Sequence, residues 1–484
     1  GCHVNKGSSD NIGDVMDGLR LHLALSSTLL VLVVGFLVML SPQFTELRTG
    51  LGLPVHLPSG RYNHSVGAAE IISKSGGEVY LGRLTFIYHS VFALLIYATM
   101  IPLIARKELG RELMNLLAVG SIMTVVGGLA YSYAQPFHLG HGLFVTGLTA
   151  IFLAGLMVIL KMRPKNLLES NIRLTGVLML AGSIIGGYLG SSFMEGRSEF
   201  IKALIEARFN PDLAEENSLW RALTAHEHAM LLLALTLVFL IAVGLLRVEE
   251  RGLSRAALHL IWFGQLVAAV ASFAVWPFGK VAHVIITPAA LILLVGTTLL
   301  SLEAGGDSLK WGLVTGNVIM WLSVTIPGAL VAMSLRKPLF FNPPFRDPAW
   351  DWAELAYNVG HWHILLGMWG ITVPLVYLSW PVDLFGTSKV AKLGGWFSLL
   401  GFGSAAISVN LYMLGNPPGP YSPNPYGNMW LTYLVEPSLV VMSLGIFISY
   451  VCLMGSLKEG LLWPSSELGM GNEEGTTGPS SHSQ

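Results

Sequence analysis

Apolar runs of about twenty residues recur along the chain, separated by shorter polar stretches, and this alternation dominates the sequence. Runs long enough to cross about 30 Å of hydrocarbon at about 1.5 Å per residue begin near positions 20, 82, 112, 139, 173, 219, 255, 281, 310, 353, 393 and 429. In lipid a segment must satisfy its own backbone hydrogen bonds, so runs of this length are helices. The pattern predicts an all-α, polytopic membrane bundle of about twelve transmembrane helices over residues 20–456. A polar N-terminal segment, 1–19, precedes it, and a tail, 457–484, follows, with Pro464 to Gln484 expected to be disordered. No internal repeat is evident.

Composition agrees with a chain made for lipid: of 484 residues, 53% are hydrophobic and only 12% charged, with a mean hydropathy of +0.61. A net charge of -1 gives no footing for a nucleic-acid partner. Cys2 and Cys452 cannot build a disulfide framework or a thiolate metal site, and the absence of Cys-x-x-Cys-His argues against covalently attached haem. Gly1 to Leu19 lacks the basic, apolar and small-residue succession of a signal peptide, so no removable one is expected.

Cations set the orientation. Arg106, Lys107 and Arg111 follow the second run, Lys161, Arg163 and Lys165 the fourth, and Arg247, Arg251 and Arg255 the sixth. Lys310, Lys389 with Lys392, and Lys458 continue the series. By the positive-inside rule the even-numbered ends, and therefore both termini, are cytoplasmic, as in a multi-pass protein of the cell's inner membrane. The stretch from Ser41 to Leu81 and the charged connector from Glu195 to Ser218, a candidate for a short amphipathic helix, then lie outside.

The histidines give this frame its chemistry. His89, His226 with His228, His283, and His361 with His363 all fall on runs entering from outside, between one turn and about 12 Å from the outer end. Ionisable groups are costly in the membrane and normally face an interior site, so imidazoles from four helices at one depth imply a shared one. Residues two apart on a helix are rotated by about 200°, so His361 and His363 face opposite sides and one helix serves two centres. A flat macrocycle on each side takes an axial imidazole from that helix, with His89 a suitable opposite partner. His226 and His228 are opposed in the same way, with Glu227 directed elsewhere. His138, His141 and His259, taken singly, are read as hydrogen-bonded within the bundle, and His22 and His259 lie near the cytoplasmic interface.

These residues resemble catalytic subunit I of the haem-copper oxidase superfamily, nearest its cbb-type cytochrome c oxidases and the nitric-oxide reductases, over most of the chain. Gly82-Arg83-Leu84 ahead of His89 looks like the family's second-helix segment carrying a low-spin haem ligand. Asn358-Val359-Gly360-His361-Trp362-His363 looks like its tenth-helix motif, in which the first histidine binds the high-spin haem and the second the low-spin haem. Tyr133-Ala134-Gln135-Pro136 and Trp220 ahead of His226 are also similar. The sequence departs from the family where a pair of histidines and a tyrosine serve copper: it reads Val275-Trp276-Pro277-Phe278-Gly279-Lys280. His226 or His228 with His283, completed by Glu227 or Glu436, is then the set left for a second metal, copper or non-haem iron. Imidazole with carboxylate suits iron or zinc more than copper(I).

The resemblance implies a respiratory oxidoreductase with two haems, expected to be b-type. Electrons would come from an outer-side donor, a cytochrome c-type protein or quinol, to the haem between His89 and His363, then to the haem on His361, where dioxygen or nitric oxide is reduced. His361 would be the residue at the reacting centre, Arg83, Arg336 or Lys337 would meet haem propionates, and small companion respiratory subunits would join the lipid as partners. Two other readings stand beside it. One is a non-catalytic electron-transfer or assembly subunit with a degenerate metal site, and the other is a haem-free secondary transporter. The outer position of the histidine layer and the lack of paired broken helices weigh against a transporter.

Overall fold

The ladder of apolar runs becomes a ladder of helices. In the computed structural model the described residues are 7–39, 77–133, 138–195, 217–246, 248–304, 388–415 and 429–462, with single positions 312, 314, 316, 318 and 322. They form ten long helices: α1 (Gly7–Met39), α2 (Gly77–Arg106), α3 (Arg111–Tyr133), α4 (His138–Lys161), α5 (Leu167–Glu195), α6 (Ser218–Leu245), α7 (Gly252–Phe278), α8 (Lys280–Leu302), α9 (Lys389–Gly415) and α10 (Met429–Leu462). Among the described residues nine of these are long and apolar enough to cross a membrane, and α1 adds a shorter apolar stretch, Gly18–Val33. The protein is a polytopic membrane bundle. The runs expected from 310 and 353, the outer loop, the charged connector and the tail beyond Leu462 lie outside the described residues, apart from the single positions above.

Local chemistry sets the helix ends. Asn217 caps α6 by accepting from the Trp220 amide at 3.0 Å, and Asn166 and Ser388 do the same for α5 and α9, accepting from Glu169 at 2.9 Å and Ala391 at 3.2 Å. A single residue, Gly279, separates α7 from α8; its φ of 61° is a conformation that side chains with a Cβ rarely adopt. So short a link makes α7 and α8 antiparallel neighbours.

Sequence neighbours pack together from α2 to α8 and again as α9 with α10, while α1 lies against α2, α3 and α10. Two helices are interior: 78% of the α6 span and 72% of the α2 span are buried, against 33% for α4, α5 and α10. α6 reaches α2, α5, α7 and α8, and so forms the hub. Outward-facing Leu139 and Leu160 on α4, Ile184 on α5, Val284 on α8 and Phe447 on α10 present apolar surface to lipid.

At one end the basic residues close the bundle. Lys107 pairs with Glu169, the Glu250 carboxylate accepts from the Leu167 and Leu168 amides at 2.9 and 2.7 Å, and Arg106 donates to the Gly244 carbonyl. Glu250 thus satisfies otherwise unpaired donors at the start of α5, where the helix dipole favours negative charge. Two polar networks lie deeper. Gln265 on α7 bonds Thr175 and Asn171 on α5. His22 on α1, near the basic end of the bundle, is buried between Tyr97 on α2, at 2.8 Å, and Asn115 on α3, at 3.1 Å. With Asn115 Oδ1 as acceptor, His22 Nε2 carries the proton and Tyr97 donates to Nδ1.

Candidate metal centre

The contact between Arg106 and Gly244 also sets the register of the two interior helices. From it, His89 on α2 and His226 on α6 lie roughly 26 Å back along their parallel axes. They meet at one level. Their imidazoles are nearly parallel, 12° between planes, with ring centres 6.1 Å apart.

Each ring has its own support. His226 Nδ1 lies 2.9 Å from the Gly182 carbonyl of α5, so Nδ1 donates and Nε2 is the nitrogen left with a lone pair. Its seat is the small face made by Gly182 and Gly186, one turn apart on α5. A Cβ at Gly186 would lie 2.5 Å from His226 Cε1, and one at Gly182 2.8 Å from the Met230 sulfur. On the other side, Phe144 of α4 stands at 80° to the His89 ring with centres 5.7 Å apart. Phe86, Tyr131, His141 and Phe144 form a contiguous aromatic wall from α2, α3 and α4, with Phe86 stacked on Tyr131 at 4.1 Å. Gly127 and Gly128 let α3 approach closely enough to build it, since a Cβ at either would strike α4 or α2 backbone.

Among the residues expected to bind haem, the structure therefore places His89 beside His226. Arg83 belongs to α2 and His283 to the first turns of α8, with their side chains outside the described residues, as is that of Glu436 on α10. His361 and His363 lie outside the described residues altogether. His228 Nδ1 bonds the Thr224 carbonyl of its own helix at 2.8 Å, while His226 reaches α5, so the two point apart as their spacing requires. Glu227 is half-buried between them in sequence. His141 joins the aromatic wall, and His259 faces outward from α7. Among the described residues no three His, Cys, Asp or Glu side chains converge as a metal-holding group.

Sequence reasoning passed over the glycine seat and the His22 network. The first had a signal, the Gly182-x-x-x-Gly186 spacing, which marks close helix approach in membranes. The second had none, because nothing local in α1, α2 or α3 indicates that His22, Tyr97 and Asn115 meet. No protein-family model, curated protein or solved structure matches the chain.

Proposed function

We propose that this protein is a haem-containing membrane oxidoreductase that takes electrons from an outer-side donor, a cytochrome c-type protein or quinol, and reduces dioxygen or nitric oxide. The observation that carries this reading is the near-parallel pair His89 and His226, on the two interior helices, both long and apolar enough to cross a membrane. A pair of imidazoles, with the tautomer of His226 fixed by Gly182, is a donor set suited to haem iron. On this reading the full chain has twelve spans with both termini cytoplasmic in the inner membrane, and His361 and His363 extend the histidine layer.

When bound, haem would supply one-electron redox chemistry and a binding place for a diatomic ligand. The chain's own residues do the rest. Gly182 and Gly186 hold the His226 ring in place and its tautomer fixed. Phe144, backed by Phe86 and Tyr131, would cover one side of His89 with low-dielectric material that excludes water. His361 is the candidate residue at the reacting centre, and His228, His283 and Glu227 are candidates for a second metal.

A reduced-minus-oxidised optical spectrum of the purified protein, with and without carbon monoxide and with iron and copper assays, tests the proposal. Two b-type haems, one shifting with carbon monoxide, are expected, and the copper content identifies the second metal. A colourless, iron-free protein overturns the reading and returns the transporter to first place.

A further inference from the structure

We infer that His89 and His226 are the two axial ligands of one haem iron, so that the low-spin centre bridges α2 and α6 instead of joining His89 to His363. This rests on the haem reading above and assigns the ligands within it.

Three independent features converge on the pair. The first is distance: two imidazoles that coordinate one ion through nitrogen at about 2.0–2.1 Å each have ring centres roughly 6 Å apart. The observed separation is 6.1 Å. The second is tautomer. A metal-binding histidine typically donates its other ring nitrogen to a carbonyl, which orients the ring and raises its basicity. His226 does this to Gly182, leaving Nε2 as the ligating atom.

The third is confinement. Gly186 removes the Cβ that would collide with His226, and the Arg106 bond to Gly244 holds α2 and α6 in axial register. His228, two residues on, bonds its own helix at Thr224 where His226 reaches α5, so it faces away from the side His226 occupies.

The test uses full-length protein in detergent, comparing wild type with His226→Ala, His226→Met, His228→Ala and His363→Ala by low-temperature electron paramagnetic resonance and redox titration. The bis-imidazole low-spin signal is expected in wild type, His228→Ala and His363→Ala. In His226→Ala it is lost, and added imidazole restores it. His226→Met fills the same seat with a thioether, so folded protein is expected with a raised midpoint potential for that haem. A low-spin signal that survives both His226 variants with unshifted potential, and disappears in His363→Ala, overturns the assignment while leaving the haem reading intact. A colourless wild type overturns both.

Discussion

At position 186 one hydrogen atom separates a working seat from a collision. A methyl group there would sit 2.5 Å from His226 Cε1 and 3.1 Å from both ring nitrogens, and the ring cannot retreat without losing its bond to Gly182. Gly186→Ala is therefore expected to displace His226 and destabilise the protein by about 1–3 kcal/mol, the usual range for overpacking. Thermal unfolding in detergent measures the loss, and on the proposed haem reading a weakened low-spin signal would report the displacement. Gly187→Ala is the control, because its added methyl meets nothing within 4 Å. The His22 network makes a second residue-scale prediction. Replacing His22 by Leu leaves the buried Tyr97 hydroxyl with only its long contact to the backbone carbonyl of residue 22, a loss of about 1–3 kcal/mol. Tyr97→Phe alone removes one bond, about 0.5–1.5 kcal/mol. Because the two share a contact, the double variant is expected to lose less than the sum, and a double-mutant cycle in chemical denaturant measures the difference.

Between helices, glycines set how closely backbones approach. On α4 a Cβ at Gly147 would meet the Thr124 amide at 2.5 Å and the Gly120 carbonyl at 2.6 Å. Gly401 on α9 and Gly445 on α10 are equally tight against Met442 and Ser398. Lipid tails are as apolar as leucine, so helices in membranes associate through such close packing and not through burial from water. Gly147→Leu is thus expected to part α3 from α4 and lower the unfolding midpoint, whereas Gly142→Leu on the same helix, with open space around its Cβ, is expected to leave it unchanged. The helices themselves were legible in the sequence because each satisfies its own backbone, a local property that hydropathy reads directly. Their partners were not. Pairing depends on which small residues face each other across α3–α4 or α9–α10, and that is a relation between distant segments. The apolar run that starts near position 20 is the inner part of a longer helix beginning at Gly7, whose polar first turns carry no apolar signal.

Across the whole molecule, the histidine layer and the basic layer are two readings of one direction. Depth along a helix is simple arithmetic on the sequence, which is why His89 and His226 could be placed at one level before their helices were known to touch. Azimuth is not, which is why the sequence does not reveal that the His89 and His226 rings face each other. The same directional argument yields a topology. α1 begins at the basic end, since a Cβ on Gly18 would lie 3.5 Å from the Arg111 guanidinium. α9 and α10 are antiparallel, with Lys392 beside Gly394, which packs on Ser449, so the C-terminal half of α10 returns to the cationic start of α9. Thr28 on α1 meets Tyr450 on α10 at 3.3 Å, close to that level. Both termini are then expected on the side of Lys107 and Lys161, which requires an even number of crossings in all and an even number, two on the twelve-span reading, between α8 and α9. In a Cys2→Ser, Cys452→Ser background, a membrane-impermeant maleimide is expected to label Ser218→Cys on intact cells and Lys165→Cys only after permeabilisation. Reporters fused to either terminus should respond like Lys165→Cys. A C-terminal reporter exposed on intact cells would mean an odd number of spans and would remove His361 and His363 from the layer that holds His89 and His226.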